Sequence, residues 1–334
     1  MMKFHYKTFI LLFFLIFFPT NYIFSDTNEN SFENWLSNYK NFALKQGISQ
    51  KTIDIAFENV VFLDQVIKYD RKQPEFFEDT ITYVNKRANI SRLKKAKKLL
   101  KKNNELFIEI ENKFLVEKEV LLALWGIETN FGKHVGKMDI ISSLATLSYD
   151  KRRREFFSSQ LITLLKLIDK KLIDANTLYG SWAGAYGNFQ FMPSTIENYA
   201  IDYDGNNKIE LKTSLNDSLA SAANYIKWIG WKKNQPCFYR VKLTKKINEK
   251  YINSSARNIK NRLKISKWRS KGIVDFNNNQ PKGNLKAALI IPDGKLDSPA
   301  FLVFHNYERI LKWNRSLRFG ISVCTLANMI KTWN

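Results

Sequence analysis

Among the side chains able to move a proton, one occupies an unusual setting. The run Leu121 to Gly132, LLALWGIETNFG, holds a single carboxylate, Glu128, beside Trp125, Ile127 and Phe131. A carboxyl group deprived of hydration favours its neutral form. The helical pattern also places Glu128 near a helix C-terminus, where partial negative charge disfavours a second negative charge. Both effects suit an acid that keeps its proton near neutral pH. A surface glutamate is the plainer reading of this residue alone. A second stretch changes that balance. Gly180 to Ser194, GSWAGAYGNFQFMPS, carries no charge at all. Gly180, Gly184 and Gly187 let backbone approach a ligand closely. Trp182, Tyr186, Phe189 and Phe191 offer flat faces suited to sugar rings, and Gln190 offers a donor and an acceptor. A lone acid with aromatic and amide groups is what glycosidic bond cleavage needs. A packed core loop is the alternative.

The remaining reactive side chains point away from other chemistries. His5, His134 and His305 are scattered, and no nucleophile motif adjoins them. Cys237 and Cys324 are the only cysteines. They form no cluster with histidine that would hold a metal. An oxidising compartment permits a disulfide, but two distant cysteines do not establish one.

The 334 residues carry a net charge of +22 and are 45% hydrophobic. Such a chain builds a real core rather than remaining disordered. Its charge suits an anionic partner or reflects lysine-rich solvated faces. The N-terminus decides which anion is in play. Lys3 and Lys7 precede FILLFFLIFFPTNYIFS, an apolar run broken by Pro19 and ending at Ser25. That pattern reads as a signal peptide over residues 1–25, with an uncleaved anchor as the other reading. No cysteine sits at this boundary, so a lipoprotein is not indicated. Export to the periplasm removes nucleic acid from consideration and leaves a cell-wall polymer. Peripheral membrane or wall association remains open.

Helical periodicity dominates the rest. FENWLSNYKNFALKQG spaces Phe32, Trp35, Leu36, Tyr39 and Phe42 for one helix face. SRLKKAKKLLKKNNELFIEIENKF is a long basic amphipathic segment. EKEVLLALWGIETNFGK predicts a helix closing at Gly132. The cluster Lys151–Arg154 reads either as a solvated helix start or as a contact for anionic substrate groups. Ser194 and Glu197 have capping-box spacing. From Trp231 to about Phe276 the alternating, strand-forming residues of CFYRVKLTKKI predict a small strand-containing insert. NLKAALIIPDG and AFLVFHNYERILKW add strand or turn elements.

WGIETNFG, GSWAGAYGNFQFMPS and ANYIKWIGW together resemble the lytic murein transglycosylase B family, glycoside hydrolase family 103. DRKQPEF and IIPDGKLDSPAFLVFHNYERILKWNRS match it too, in the right order, from about Ser31 to Ile330. The resemblance implies a mainly α (α+β) fold: a lysozyme-like helical catalytic domain, a helical N-terminal domain and a small strand-containing subdomain. Units are expected over 26–115 (helical N-terminal domain), 116–231 (catalytic domain), 232–285 (small mixed subdomain) and 286–334 (a C-terminal segment packing back on the helices). The implied substrate is peptidoglycan, cut between N-acetylmuramic acid and N-acetylglucosamine with formation of 1,6-anhydromuramyl ends. Glu128 matches the family's single catalytic acid/base. Ser181, Gln190, Phe191, Tyr225 and Asn314 would line the glycan groove. Neither motif supplies a second carboxylate. A hydrolytic muramidase and a non-catalytic wall-binding protein are the alternatives. No cofactor is required, and a monomer is expected.

The family also resembles an EF-hand in DYDGNNKIELKTSLND, with a structural calcium ion. Asp202, Asp204 and Asn206 fill the first, third and fifth loop positions, and Ile209 the eighth. Asn207 stands where that loop has glycine, and Thr213 where it has glutamate. Asp217 is the candidate closing ligand. Asparagine tolerates left-handed backbone, so the turn can form. Fewer carboxylates weaken cation binding, and a metal-free turn is the other reading.

Overall fold

A computed structural model describes residues 31–72, 78–277 and 283–333. The expected export segment, residues 1–25, lies outside them. Local polar side chains open the first helices. Ser31 and Ser49 accept first-turn amides of α1 (Phe32–Lys45) and α2 (Gln50–Phe57), the usual role of a helix N-cap. After α3 (Asp64–Arg71), Asp79 and Asn89 do the same for α4 (Thr80–Arg87) and α5 (Ile90–Lys102). α6 (Asn104–Phe114) ends on Leu115 in left-handed conformation.

α7 (Lys118–Thr129) is the central helix. Every residue from Val120 to Gly126 is buried, and the helix packs against α5, α6 and two later helices. It is followed by β1 (Met138–Asp139), α8 (Ile140–Tyr149), α9 (Arg154–Asp169), β2 (Tyr179–Gly180), α10 (Pro193–Tyr199) and α11 (Leu215–Trp228). α1 and α2 cover α8 and α9. The Tyr39 hydroxyl donates to the Ser158 carbonyl at 2.8 Å, so this fully buried ring leaves no polar atom unpaired.

The chain then leaves the helices to build a sheet. Its strands are β3 (Phe238–Leu243), β4 (Ile252–Asn253), β5 (Leu263–Lys264), β6 (Ile273–Asp275), β7 (Lys286–Ile290) and β8 (Ala300–Val303), with α12 (Ile265–Ser270) between β5 and β6. The order is β4-β7-β8-β3-β6, with β5 beside β7. β4 pairs with β7 in parallel, and the other pairs are antiparallel. β8 is buried along its whole length and β7 from Ala287 onward, as befits central strands covered on both faces. Trp268 anchors a small separate core here, and its indole N–H donates to Ala287 O at 2.8 Å.

α13 (His305–Trp313) and α14 (Leu317–Thr332) return to the helical body, where α14 packs on α7, α4 and α5. Cys237 and Cys324 form a disulfide with a Cα–Cα distance of 6.0 Å. It staples the segment entering β3 to the middle of α14. No helix among the described residues is long and apolar enough to cross a membrane.

The fold is mainly helical with a small sheet, as the sequence implies. Two local expectations fail. α7 stops at Thr129 rather than Gly132, because Asn130, Phe131 and Gly132 all adopt positive φ (51°, 59° and 79°). The Ser194–Glu197 capping box does not form. Proline at the first position already fixes the start of α10, and the Ser194 amide donates to the Gln160 side chain at 3.0 Å.

The staple closes a loop with a sequence separation of 87. Removing such a crosslink costs about 2–5 kcal/mol. Cys237→Ser, Cys324→Ser and the double variant should lose the same amount in denaturant unfolding. Unchanged midpoints would show that the bond contributes nothing.

Candidate active site

Glu128 is the penultimate residue of α7 and is half-buried. The side chain is not surrounded by apolar groups alone. The Trp313 indole N–H donates to Glu128 Oε1 at 2.9 Å. Trp313 ends α13 and lies amid aromatic rings. Its centroid is 5.1 Å from Tyr225, 5.3 Å from Phe191 and 6.2 Å from Phe189. Tyr225 in turn stacks on Tyr199 at 4.7 Å. The acid, the uncharged loop, α11 and the end of α13 therefore meet at one place.

The sequence-predicted groove residues take distinct positions around it. Tyr225 is half-buried, and its hydroxyl donates to Lys312 O at 3.3 Å. Burial raises the pKa of this phenol above its ordinary value, helped by Tyr199 and opposed by Arg315. Asn314 follows Trp313 directly and caps α13. Ser181 Oγ accepts the amides of Ala183 and Ala185 at 3.3 and 2.9 Å. It shapes the loop while its own hydroxyl proton is left to donate. Gln190, in left-handed conformation, donates from Nε2 to Val135 O and Gly187 O at 3.1 and 2.9 Å. Its amide nitrogen thus serves the loop, and its side-chain oxygen is the atom left for a ligand.

Phe191 requires a correction. It is 3% exposed, as are Phe189 at 2% and Tyr186 at 4%. These rings form the floor under Trp313 and Tyr225 rather than open faces for sugars. The reason is elementary: a run rich in aromatics and lacking charge is the best available core material. Trp182 stays half-buried, 6.5 Å from Tyr69. The Lys151–Arg154 cluster is not a plain solvated helix start either. Arg152 and Arg153 both pair with buried Asp70, joined by Arg71. Burial alone would raise the Asp70 carboxyl, but the Arg152 and Arg153 guanidiniums hold it below its ordinary value.

Asn188 is the residue that sequence inspection passes over. It is 6% exposed, and α7, the 202–213 loop and α11 converge on it. Trp125 Nε1 donates to its Oδ1 at 3.0 Å, and Thr129 Oγ1 donates to its carbonyl at 2.8 Å. Its Nδ2 donates to Leu211 O, Lys212 O and Ser218 Oγ at 3.2, 3.2 and 3.1 Å. The last turn of α7 is thereby tied to the 202–213 loop and to α11. The only signal in the sequence is an amide in an otherwise apolar loop.

The 202–213 loop and the first turn of α11 present three carboxylates together. Asp202, Asp204 and Asp217 each offer one oxygen, all within 4.8 Å of one another. Asp217 is fully buried and accepts the amides of Tyr203 and Glu210, both at 2.9 Å. Asp202 accepts the amides of Gly205, Asn206 and Asn207 at 2.8, 3.1 and 2.7 Å. Asn207 takes φ 65° where a calcium loop has glycine. The Asn206 side-chain oxygen accepts the Lys208 amide at 2.8 Å. Asp202 Oδ2 and both Asp217 oxygens each accept a single amide and keep a second lone pair, so this oxygen-only donor set fits a hard divalent cation.

Asn188→Ala leaves the buried Trp125 N–H without its acceptor, at a cost of about 1–3 kcal/mol. Urea unfolding should show that loss, and no loss would deny Asn188 its tying role.

Comparisons with known proteins bear on the same residues. Residues 31–328 match the family described as Transglycosylase SLT domain. The membrane-bound lytic murein transglycosylase B of Escherichia coli K12 is 32% identical over 221 residues. That alignment covers 64% of this chain and 57% of the relative, so it spans little more than half of the relative's length. SltB3 from Pseudomonas aeruginosa, solved with NAG-anhNAM-pentapeptide and with NAG-NAM-pentapeptide, superposes with a TM-score of 0.83 at 35% identity. That superposition covers 91% of this chain and 80% of SltB3. The Escherichia coli lytic transglycosylase Slt35, solved with calcium, has a TM-score of 0.74 at 24% identity, covering 89% of this chain and 92% of that one, a likeness of fold. The family match runs through Glu128, the uncharged loop and Trp313. This chain belongs to the Transglycosylase SLT domain family, the family of lytic murein transglycosylase B.

Proposed function

We propose that this chain is an exported, periplasmic lytic transglycosylase that cleaves the MurNAc–GlcNAc bond of peptidoglycan, with Glu128 as its single acid/base. The observation that carries this reading is the Trp313–Glu128 hydrogen bond at 2.9 Å. It sets the acid at the edge of an aromatic platform, in a family whose member SltB3 is solved with an anhydromuramyl fragment. Glu128 first gives its proton to the leaving O4 of GlcNAc as the bond to muramyl C1 breaks. The resulting carboxylate then takes the proton of the muramyl C6 hydroxyl as that oxygen bonds C1. The 1,6-anhydro ring forms, and water is not consumed. The acid must give and then recover one proton, and the Trp313 N–H holds its Oε1 in a fixed place while it does so.

In this reading the half-open rings of Trp313 and Tyr225 carry the glycan. Ser181, the Gln190 oxygen and Asn314 supply polar contacts, and Phe191 supports the platform from below. The polypeptide acts as a monomer on glycan strands, in units spanning 26–115, 116–231, 232–285 and 286–334. Its charge of +22 draws it to the carboxylates of wall peptides, an attraction that weakens with salt. A hydrolytic muramidase would need a group to activate water. The next carboxylate along the chain, Asp139, is engaged in capping α8.

We further propose that calcium occupies the Asp202, Asp204, Asn206 and Asp217 loop in a structural role. A bound ion would offset the three converging charges and hold this loop against α11.

Wild-type protein should release anhydromuramyl-ended fragments from purified sacculi, and Glu128→Gln should lower the rate by about 10²–10⁴-fold while keeping glycan affinity. Persistent release by Glu128→Gln would remove that residue from the mechanism. Reducing ends from the wild type would favour the muramidase, and binding without release a wall-binding protein. For the ion, calcium at about a hundred times its Kd adds about 2.7 kcal/mol of stability. Thermal unfolding should therefore shift upward with calcium and not in Asp217→Asn. An equal shift in both proteins, or none in either, counts against the site.

A further inference from the structure

We propose that Arg92 and Lys95 of α5 are positioning residues for Glu128, clamping the two backbone carbonyls that bracket it. The inference rests on the functional reading above and adds a device to it. Arg92 Nε donates to Gly126 O at 3.0 Å, and Lys95 Nζ donates to Asn130 O at 3.0 Å. These carbonyls lie two residues before and two residues after the acid.

Three observations set the pair apart from the other cations of α5. First, Arg92 is half-buried and bridges two helix ends. Its Nη1 also donates to Lys86 O and Arg87 O, at 2.7 and 3.0 Å, at the close of α4. Gly126 O also accepts the Asn130 amide that closes α7, at 3.1 Å, so Arg92 adds a charged donor to a last-turn carbonyl, where cations complement the helix dipole. Second, the turn that Lys95 holds is tightly folded. Asn130, Phe131 and Gly132 are all left-handed, and the Phe131 ring lies on Gly126 so closely that a Cβ there would come within 2.7 Å of it. Lys95 Nζ sits 5.3 Å from the centre of that ring. Third, Lys94, Lys98, Lys101 and Lys102 on the same helix point to solvent, and Lys97 reaches Trp333 O after α14 instead. Only Arg92 and Lys95 reach the acid-bearing turn.

On its other side the same turn is held by Asn188 and Trp313. α5 therefore supplies the opposing grip. Without it, the end of α7 keeps its fold but gains freedom at Glu128. Proton transfer to a glycosidic oxygen is sensitive to such freedom, since displacements of about 1 Å can cost 10²-fold in rate.

The test measures kcat and KM for anhydromuramyl release, together with thermal unfolding, for Arg92→Met, Lys95→Met, Arg92→Lys, Lys95→Arg and the control Lys98→Met. The methionine variants at 92 and 95 should lose about tenfold in kcat, with KM within twofold of wild type and unfolding still above the assay temperature. The charge-keeping variants should recover part of the loss, and Lys98→Met should match wild type. Unchanged kcat at both positions overturns the clamp. So does a loss confined to KM, or one no better in Arg92→Lys and Lys95→Arg than in the methionine variants. If the wild type makes no anhydromuramyl ends, the functional reading fails and the clamp with it. Wild-type turnover with unaffected Arg92→Met and Lys95→Met removes the clamp alone.

Discussion

The site depends on a hydrogen bond between two residues that are 185 positions apart. The Trp313 indole reaches Glu128 only because the chain leaves the helical body after α11, builds the sheet and comes back through α13. An indole N–H has one proton to give and no acceptor, so its direction is fixed by its ring. The ring is fixed in turn by Phe189, Phe191 and Tyr225. The side-chain position of the acid is thus a property of packing among four separate segments.

The backbone of the acid is held as firmly as its side chain. α7 is buried along most of its length, so it cannot shift without moving the core. Its last turn is tied by Thr129 and Trp125 to Asn188, and Asn188 bonds the far end of the acidic loop. The cluster of Asp202, Asp204 and Asp217 is therefore one residue removed from this network, since Ser218 both follows Asp217 and meets the Asn188 side chain. Order in that loop and order at the acid share one set of bonds.

Features carried by local residue chemistry were legible in the sequence. Glu128 stands out as the one charge in an apolar run, and the uncharged, glycine-rich loop marks a place of close packing. Asp202, Asp204 and Asp217 were grouped from their spacing and from family resemblance, and the structure brings them together. What stayed hidden depends on distant segments. Trp313 reads as one more aromatic in a terminal helix, although Asn314 beside it was singled out. Lys95 is indistinguishable by type from the solvent-facing lysines around it, Arg92 reads as one more cation of a basic helix, and only the packing of α5 on α7 separates them. The residue types of the loop aromatics suit open faces, because composition does not tell a platform from its floor. The pairing of Cys237 with Cys324 is not readable from spacing, since the fold across a sequence separation of 87 decides it.

The most direct measurement is digestion of purified peptidoglycan in water enriched in heavy oxygen, followed by mass analysis of the muramyl ends. Attack by the sugar's own C6 hydroxyl predicts products that carry no heavy oxygen. Heavy oxygen at newly formed reducing ends would contradict the account, because the carboxylate of Glu128 would then be activating water.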